Sequence, residues 1–150
     1  GPMDGTKMVG GGYWSSYWYN GYIVGSEISR GLDLFELKPS AFLSQNEIDA
    51  AKSVHFDHFN AQEQPKLVWP ATFSLARAYL DQLVRDKGIA GDRASAITTA
   101  LASAEKASGQ QRSTALTLLA AQLDGDAGSA TDAPRVRMMA AAVRELAGTR

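Results

Sequence analysis

The chain changes its residue palette once, and that change confines it to two kinds of structure joined end to end. Residues 13–37 are crowded with Tyr, Trp, Phe and Ile, whereas residues 90–147 are built from Ala, Leu, Arg and Gln and are nearly free of aromatic side chains. Aromatic and β-branched residues suit a pleated, half-buried surface. Ala, Leu, Arg and Gln lose least on entering a helix. The reading is therefore α+β: a short antiparallel β-meander followed by a mainly helical, four-helix bundle. The expected divisions are 1–8 as a disordered tag, 9–39 as the meander, 40–69 as a short helix and packed linker, and 70–148 as the bundle.

Within the first part, Tyr13-Trp14-Ser15-Ser16-Tyr17-Trp18-Tyr19 is followed by Asn20-Gly21 and then Tyr22-Ile23-Val24. Asn-Gly between two β-prone runs predicts a hairpin, because both turn residues need positive φ and these two tolerate it. A second break at Ser29-Arg30-Gly31 precedes a third run. There Leu32, Leu34 and Glu36 alternate with Asp33, Phe35 and Leu37, and Pro39 ends the strand. A meander of this size is marginal unless something covers a face, and its outer strands carry unpaired backbone groups. The aromatics are expected to borrow cover from helices, another copy or neighbouring strands.

From residue 40 the period becomes helical. Ser44-Gln45-Asn46-Glu47 has the form of a capping box and predicts a short helix over 45–53. Pro70 is placed in the first turn of a helix ending at Gly88, with Phe73, Ala76, Leu80, Leu83 and Val84 as its inner stripe. The next is expected after Asp92 as N-cap, with Ile97, Ala100, Leu101 and Ala104 inward, ending at Gly109. A third over 110–123 turns Leu116, Leu119, Ala120 and Leu123 inward and breaks at Asp124-Gly125-Asp126. A fourth starts near Asp132 and Pro134 with Val136, Met139, Val143 and Leu146. Arg93–Ile97 and Arg112–Leu116 open similar helices, a faint internal repeat.

Composition removes several classes of function. The net charge of −1 over 150 residues gives no basic face for nucleic acid. No run approaches the roughly 20 apolar residues of a membrane span. The absence of cysteine excludes disulfides, a thiol nucleophile and thiolate metal sites. Gly1-Pro2-Met3 reads as the scar of a protease cleavage ahead of a cloned fragment, so any export signal would lie upstream.

The run Gly12-Tyr13-Trp14-Ser15-Ser16-Tyr17-Trp18-Tyr19-Asn20-Gly21-Tyr22-Ile23-Val24-Gly25-Ser26-Glu27-Ile28-Ser29-Arg30-Gly31-Leu32-Asp33-Leu34-Phe35 resembles the final repeat of bacterial LVIVD-repeat proteins. Leu43-Ser44-Gln45-Asn46-Glu47-Ile48-Asp49-Ala50-Ala51 resembles the exit helix of that family. The resemblance implies a secreted or cell-surface β-propeller-like parent, with the meander as a blade parted from its neighbours. It would then fold against helix 70–87 and Trp69, or be poorly ordered. Residues 72–147 are similar to helical modules of the FIVAR or FIMAH kind from bacterial surface proteins. Neither resemblance brings a catalytic motif.

His55-x-Asp57-His58 is the one place where metal-ligand types crowd together. Its spacing fits no standard site, and Phe56 and Phe59 interleave with it. Ser15-Ser16 has no His–Asp partner. Glu27 and Arg30 are expected as a surface ion pair across a turn. The glycines at 10–12 precede no helix, so they form no phosphate loop. Asp124–Gly128 lacks the distal Glu of a calcium loop. The aromatic strip of Tyr13, Trp14, Tyr17, Trp18, Tyr19 and Tyr22 is the main candidate for binding, with a sheet core as the plainer account. The leading expectation is a non-catalytic interaction or structural module without cofactor. Its partner would be another protein or missing parts of the parent chain. The alternatives are a glycan- or peptide-binding module using the strip, and a metal-dependent enzyme using His55, Asp57 and His58.

Overall fold

The computed structural model describes residues 6, 10–29, 31–63 and 65–149. Three strands, β1 (Tyr13–Tyr19), β2 (Tyr22–Glu27) and β3 (Gly31–Phe35), form an antiparallel sheet in the order β1-β2-β3. Five helices follow: α1 (Gln45–Lys52), α2 (Phe73–Arg85), α3 (Gly91–Lys106), α4 (Gly109–Asp126) and α5 (Ala133–Gly148). A single 3-10 turn at Ala61–Glu63 interrupts the linker between α1 and α2. The chain is α+β, as the palette change predicts. The tag expected over 1–8 lies almost wholly outside the described residues.

The hairpin closes at Asn20 and Gly21, whose φ values of 48° and 94° are the left-handed geometry that Asn-Gly supplies. Directly opposed residues share a face. One face therefore carries Tyr17, Val24 and Leu34 in a row, with Tyr19 beside Tyr22 and Ser26 beside Leu32. The other carries Trp18, Ile23 and Phe35. The sheet does not lie on α2 and Trp69, which corrects one expectation. Trp69 instead joins Leu67 and Val68 beside Leu75 and Tyr79 of α2 and Met138 of α5.

The helices pack through the stripes read from their period. Leu83, Ile97, Leu101, Leu116, Leu123, Val136, Met139 and Val143 are shielded from solvent. Phe73 and Ala100 pack against this core from its margin. Val84 is the exception at 54% exposed, because it faces a groove between the 40–44 turn and α3 rather than a helix. The short helix also belongs to the bundle. Ala50 of α1 joins Leu75, Ala78 and Ala142 in a second small core.

Several helix ends differ from the expected ones for local reasons. Thr72, not Pro70, sets the start of α2, its hydroxyl accepting from the Leu75 amide at 3.0 Å. The cap of α3 is Ala90, which leaves Asp92 in the first turn, favourable to the helix dipole. α4 continues through Gly125 to Asp126, where Arg93 of α3 donates to the Asp126 carboxylate at 2.6 Å. Asp132 caps α5 as read, accepting from the Arg135 amide at 3.0 Å.

The end of α2 reverses the expected role of Gly88. Lys87 takes the left-handed conformation at φ 54°, and the Gly88 amide bonds the Leu83 carbonyl at 2.7 Å. This is a Schellman turn with lysine at its left-handed position. Gly88 is there for space. A Cβ on it would lie 2.9 Å from both Asp132 Cβ and Leu83 Cδ2. Its carbonyl also accepts from the Asp132 amide at 3.1 Å. Gly88→Ala is expected to cost about 1–3 kcal/mol by overpacking, measured by denaturant unfolding. An unchanged midpoint would refute this tight approach of α2 to the α5 cap.

Candidate binding surface of the aromatic meander

Strand alternation divides the aromatic strip between two faces. Tyr17, Tyr19 and Tyr22 lie with Val24 and Leu34, while Trp18 lies with Ile23 and Phe35. A bulge between Tyr13 and Ser15 leaves Trp14 without a cross-strand partner, and it is 77% exposed. The bulge returns Tyr13 to the Trp18 face. There its ring lies over Gly25, where a Cβ would come within 2.7 Å of it. It meets Phe35 edge-on at 5.8 Å, and its hydroxyl donates to Asp33 at 2.5 Å. The Trp18 indole nitrogen is shielded and has no acceptor among the described residues.

Cover for the Tyr17 face comes from the linker after α1, and only at the hairpin end. The Asn20 side chain donates to the Phe56 carbonyl at 2.9 Å and accepts from the Phe56 amide at 2.8 Å. The Tyr19 hydroxyl donates to the same carbonyl at 3.2 Å. These bonds hold residues 56–59 so that Phe59 packs near Tyr19 at 6.1 Å and near Phe56 at 5.4 Å. Lys52, at the end of α1, packs its stem on Gly21 and donates to Glu36 at 2.7 Å. Bonding to Lys52 first, then to Lys38, holds the Glu36 carboxyl below its usual range. The turn residue Asn20 is thus also the clamp that joins sheet to linker.

The clamp shapes a groove of about 340 Å³ lined by Tyr17, Tyr19, Val24, Asp57, His58 and Phe59. The aromatic strip, through Tyr17 and Tyr19, meets the His–Asp cluster, through Asp57 and His58, about 40 residues further along the chain. His55 does not line the groove. Among the described residues no three His, Asp or Glu side chains are gathered as a metal site would need. Val24 and Phe59 are additions to the expected set. For Phe59 the one sequence signal is its place beside Phe56 in the His–Asp segment; for Val24 it is the strand alternation that sets it with Tyr22.

Beyond the groove the same face is bare. Leu32 and Leu34 are each 63% exposed, beside half-exposed Tyr17 and Tyr22. Ile28 and Phe35 are exposed as well. The far end of the sheet is closed by Glu27, which is buried rather than on the surface as expected. Its carboxylate accepts from the Gly12 and Ser29 amides, each at 2.8 Å. Arg30, its expected partner, lies outside the described residues. Among the described residues no helix is long and apolar enough to cross a membrane.

Comparison with known proteins gives no significant match: no family model, curated protein or solved structure aligns with the chain.

Proposed function

We propose that this chain is a non-catalytic interaction module whose meander is completed by a protein surface, supplied by the rest of its parent protein or by a separate partner. The observation that carries this is the bare face of Leu32, Leu34, Tyr17 and Tyr22 on a sheet that has three strands among the described residues. A contiguous apolar face with polar surroundings marks a contact site. Among the described residues β1 and β3 are the edges of the sheet, the positions at which a further strand would add. The helical bundle buries its own core and does not need this face. The resemblance of residues 12–35 to the last repeat of LVIVD-repeat proteins supports a secreted or cell-surface parent, in which neighbouring sheets would supply the cover.

The test uses Leu32→Thr with Leu34→Thr, which keeps strand propensity and removes the apolar face. In the chain alone these side chains are exposed, so stability is expected to change by less than about 0.5 kcal/mol. In the full-length gene product the same pair is expected to cost about 2–4 kcal/mol, seen as a lowered melting temperature and faster proteolysis between residues 9 and 39. Equal behaviour of variant and wild type in the full-length product would reject the reading.

A further inference from the structure

We infer that the groove beside the hairpin takes an arginine side chain from the docked surface, with Tyr17, Tyr19 and Phe59 against its flat cation and Asp57 as its counter-charge. This inference rests on the docking reading above. Charge is what selects the occupant. The carboxylates of Glu36, Glu47, Glu105, Asp124, Asp126 and Asp132 each meet a Lys or Arg of this chain, whereas among the described residues Asp57, Asp92 and Glu145 do not, and of these three only Asp57 lines the hairpin groove. Asp57 lines the groove and makes no hydrogen bond or ion pair among the described residues. An acceptor-only group at the edge of aromatic rings is complementary to a cation that can also lie on a π face. Guanidinium does both, because it is planar, weakly hydrated and forked to match a carboxylate. A neutral sugar would gain ring contact but no ionic contact with Asp57. It would also find the Tyr19 hydroxyl proton already given to the Phe56 carbonyl. The volume of about 340 Å³ is at the small end of ligand sites, suited to one side chain rather than an extended ligand.

The experiment is an amide NMR titration of the whole chain in low salt with n-propylguanidinium, with neutral n-propylurea and with cellohexaose. The expected result is shifts confined to Tyr17, Tyr19, Val24 and residues 57–59 on adding the guanidinium. Affinity is expected to be at least about fivefold weaker for the urea, and equally weakened in Asp57→Asn. Asp57 is exposed, so that variant is expected to keep the wild-type spectrum elsewhere. Absence of shifts at the groove, equal affinity for the urea, indifference to Asp57→Asn, or stronger shifts of the same amides by cellohexaose would each overturn the inference. The Leu32 and Leu34 substitutions read the docking separately. If they destabilise the full-length product while the groove stays silent, only the arginine anchor is lost. If they do nothing there, the docking fails and takes the anchor's role with it, whatever the groove binds.

Discussion

Leu119→Ala is expected to destabilise the bundle by about 2–5 kcal/mol, read as a fall in melting temperature of roughly 10–20 °C. Leu119 sits on the inner face of α4 and is only 2% exposed. It belongs to one continuous core with Leu83, Ile97, Leu101, Leu116, Leu123, Val136, Met139 and Val143. Much of the remaining lining is alanine, at Ala76, Ala94, Ala104, Ala120 and Ala140. Alanine lets helices approach closely but buries little surface, so the large side chains provide most of the apolar burial at roughly 25 cal/mol per Å². Alanine neighbours also have no side-chain torsions with which to refill a void. The loss should therefore include a cavity contribution as well as lost transfer energy. Leu80→Ala, at a site 5% exposed on α2, falls in the same range. Leu118 is the control, being 60% exposed one residue away. Leu118→Ala is expected to change stability by less than about 0.5 kcal/mol. Equal melting temperatures for the Leu118 and Leu119 variants would refute the packing of α4 described above.

Acid is expected to loosen α1 from α2 in a window set by Glu47. This residue completes the capping box: its carboxylate accepts from the Ser44 amide at 2.7 Å, and the Ser44 hydroxyl accepts from the Glu47 amide at 3.1 Å. The same carboxylate takes a two-pronged contact from Arg85 at 2.8 and 2.9 Å and a bond from Gln82 at 2.8 Å. The Arg85 bonds, helped by Ser44 and Gln82 and opposed by partial burial, lower its pKa from 4.5 to about 2. The folded carboxyl thus holds its proton less tightly than the unfolded one. Its stabilisation is complete above the unfolded value near 4.5 and is lost as the pH falls through about 2. The side chain is only 9% exposed, and the shift corresponds to on the order of 3 kcal/mol. Glu47→Gln keeps a capping amide and removes the charge. It is expected to lower stability at pH 7 and to flatten the decline between pH 5 and 2. Parallel acid limbs for variant and wild type would show that the Arg85 contact contributes nothing to holding α1.

The local features of this protein were legible in its sequence because each depends on residues within a few positions of one another. Asn20-Gly21 predicts a turn with two positive φ angles, and Ser44 with Glu47 predicts a capped helix start. The spacing of Leu116, Leu119 and Leu123 predicts a buried stripe, and all three are buried. The start of α2 was less legible. Thr72 rather than Pro70 sets it, because its hydroxyl satisfies the Leu75 amide, which proline's ring does not.

Only the tertiary structure decided what those elements do to one another. Nothing near Asn20 announces that its amide will clamp the backbone of Phe56, 36 residues away. Nothing near Glu47 announces Arg85, 38 residues away. Val84 has the period of a core residue and Glu27 the chemistry of a surface one, yet packing exposed the first and buried the second. The groove exists because a hairpin turn and a linker meet. Sequence patterns record the periodicity of one segment, whereas exposure and partnership depend on which other segment arrives, and that is settled by shape and burial over the whole chain.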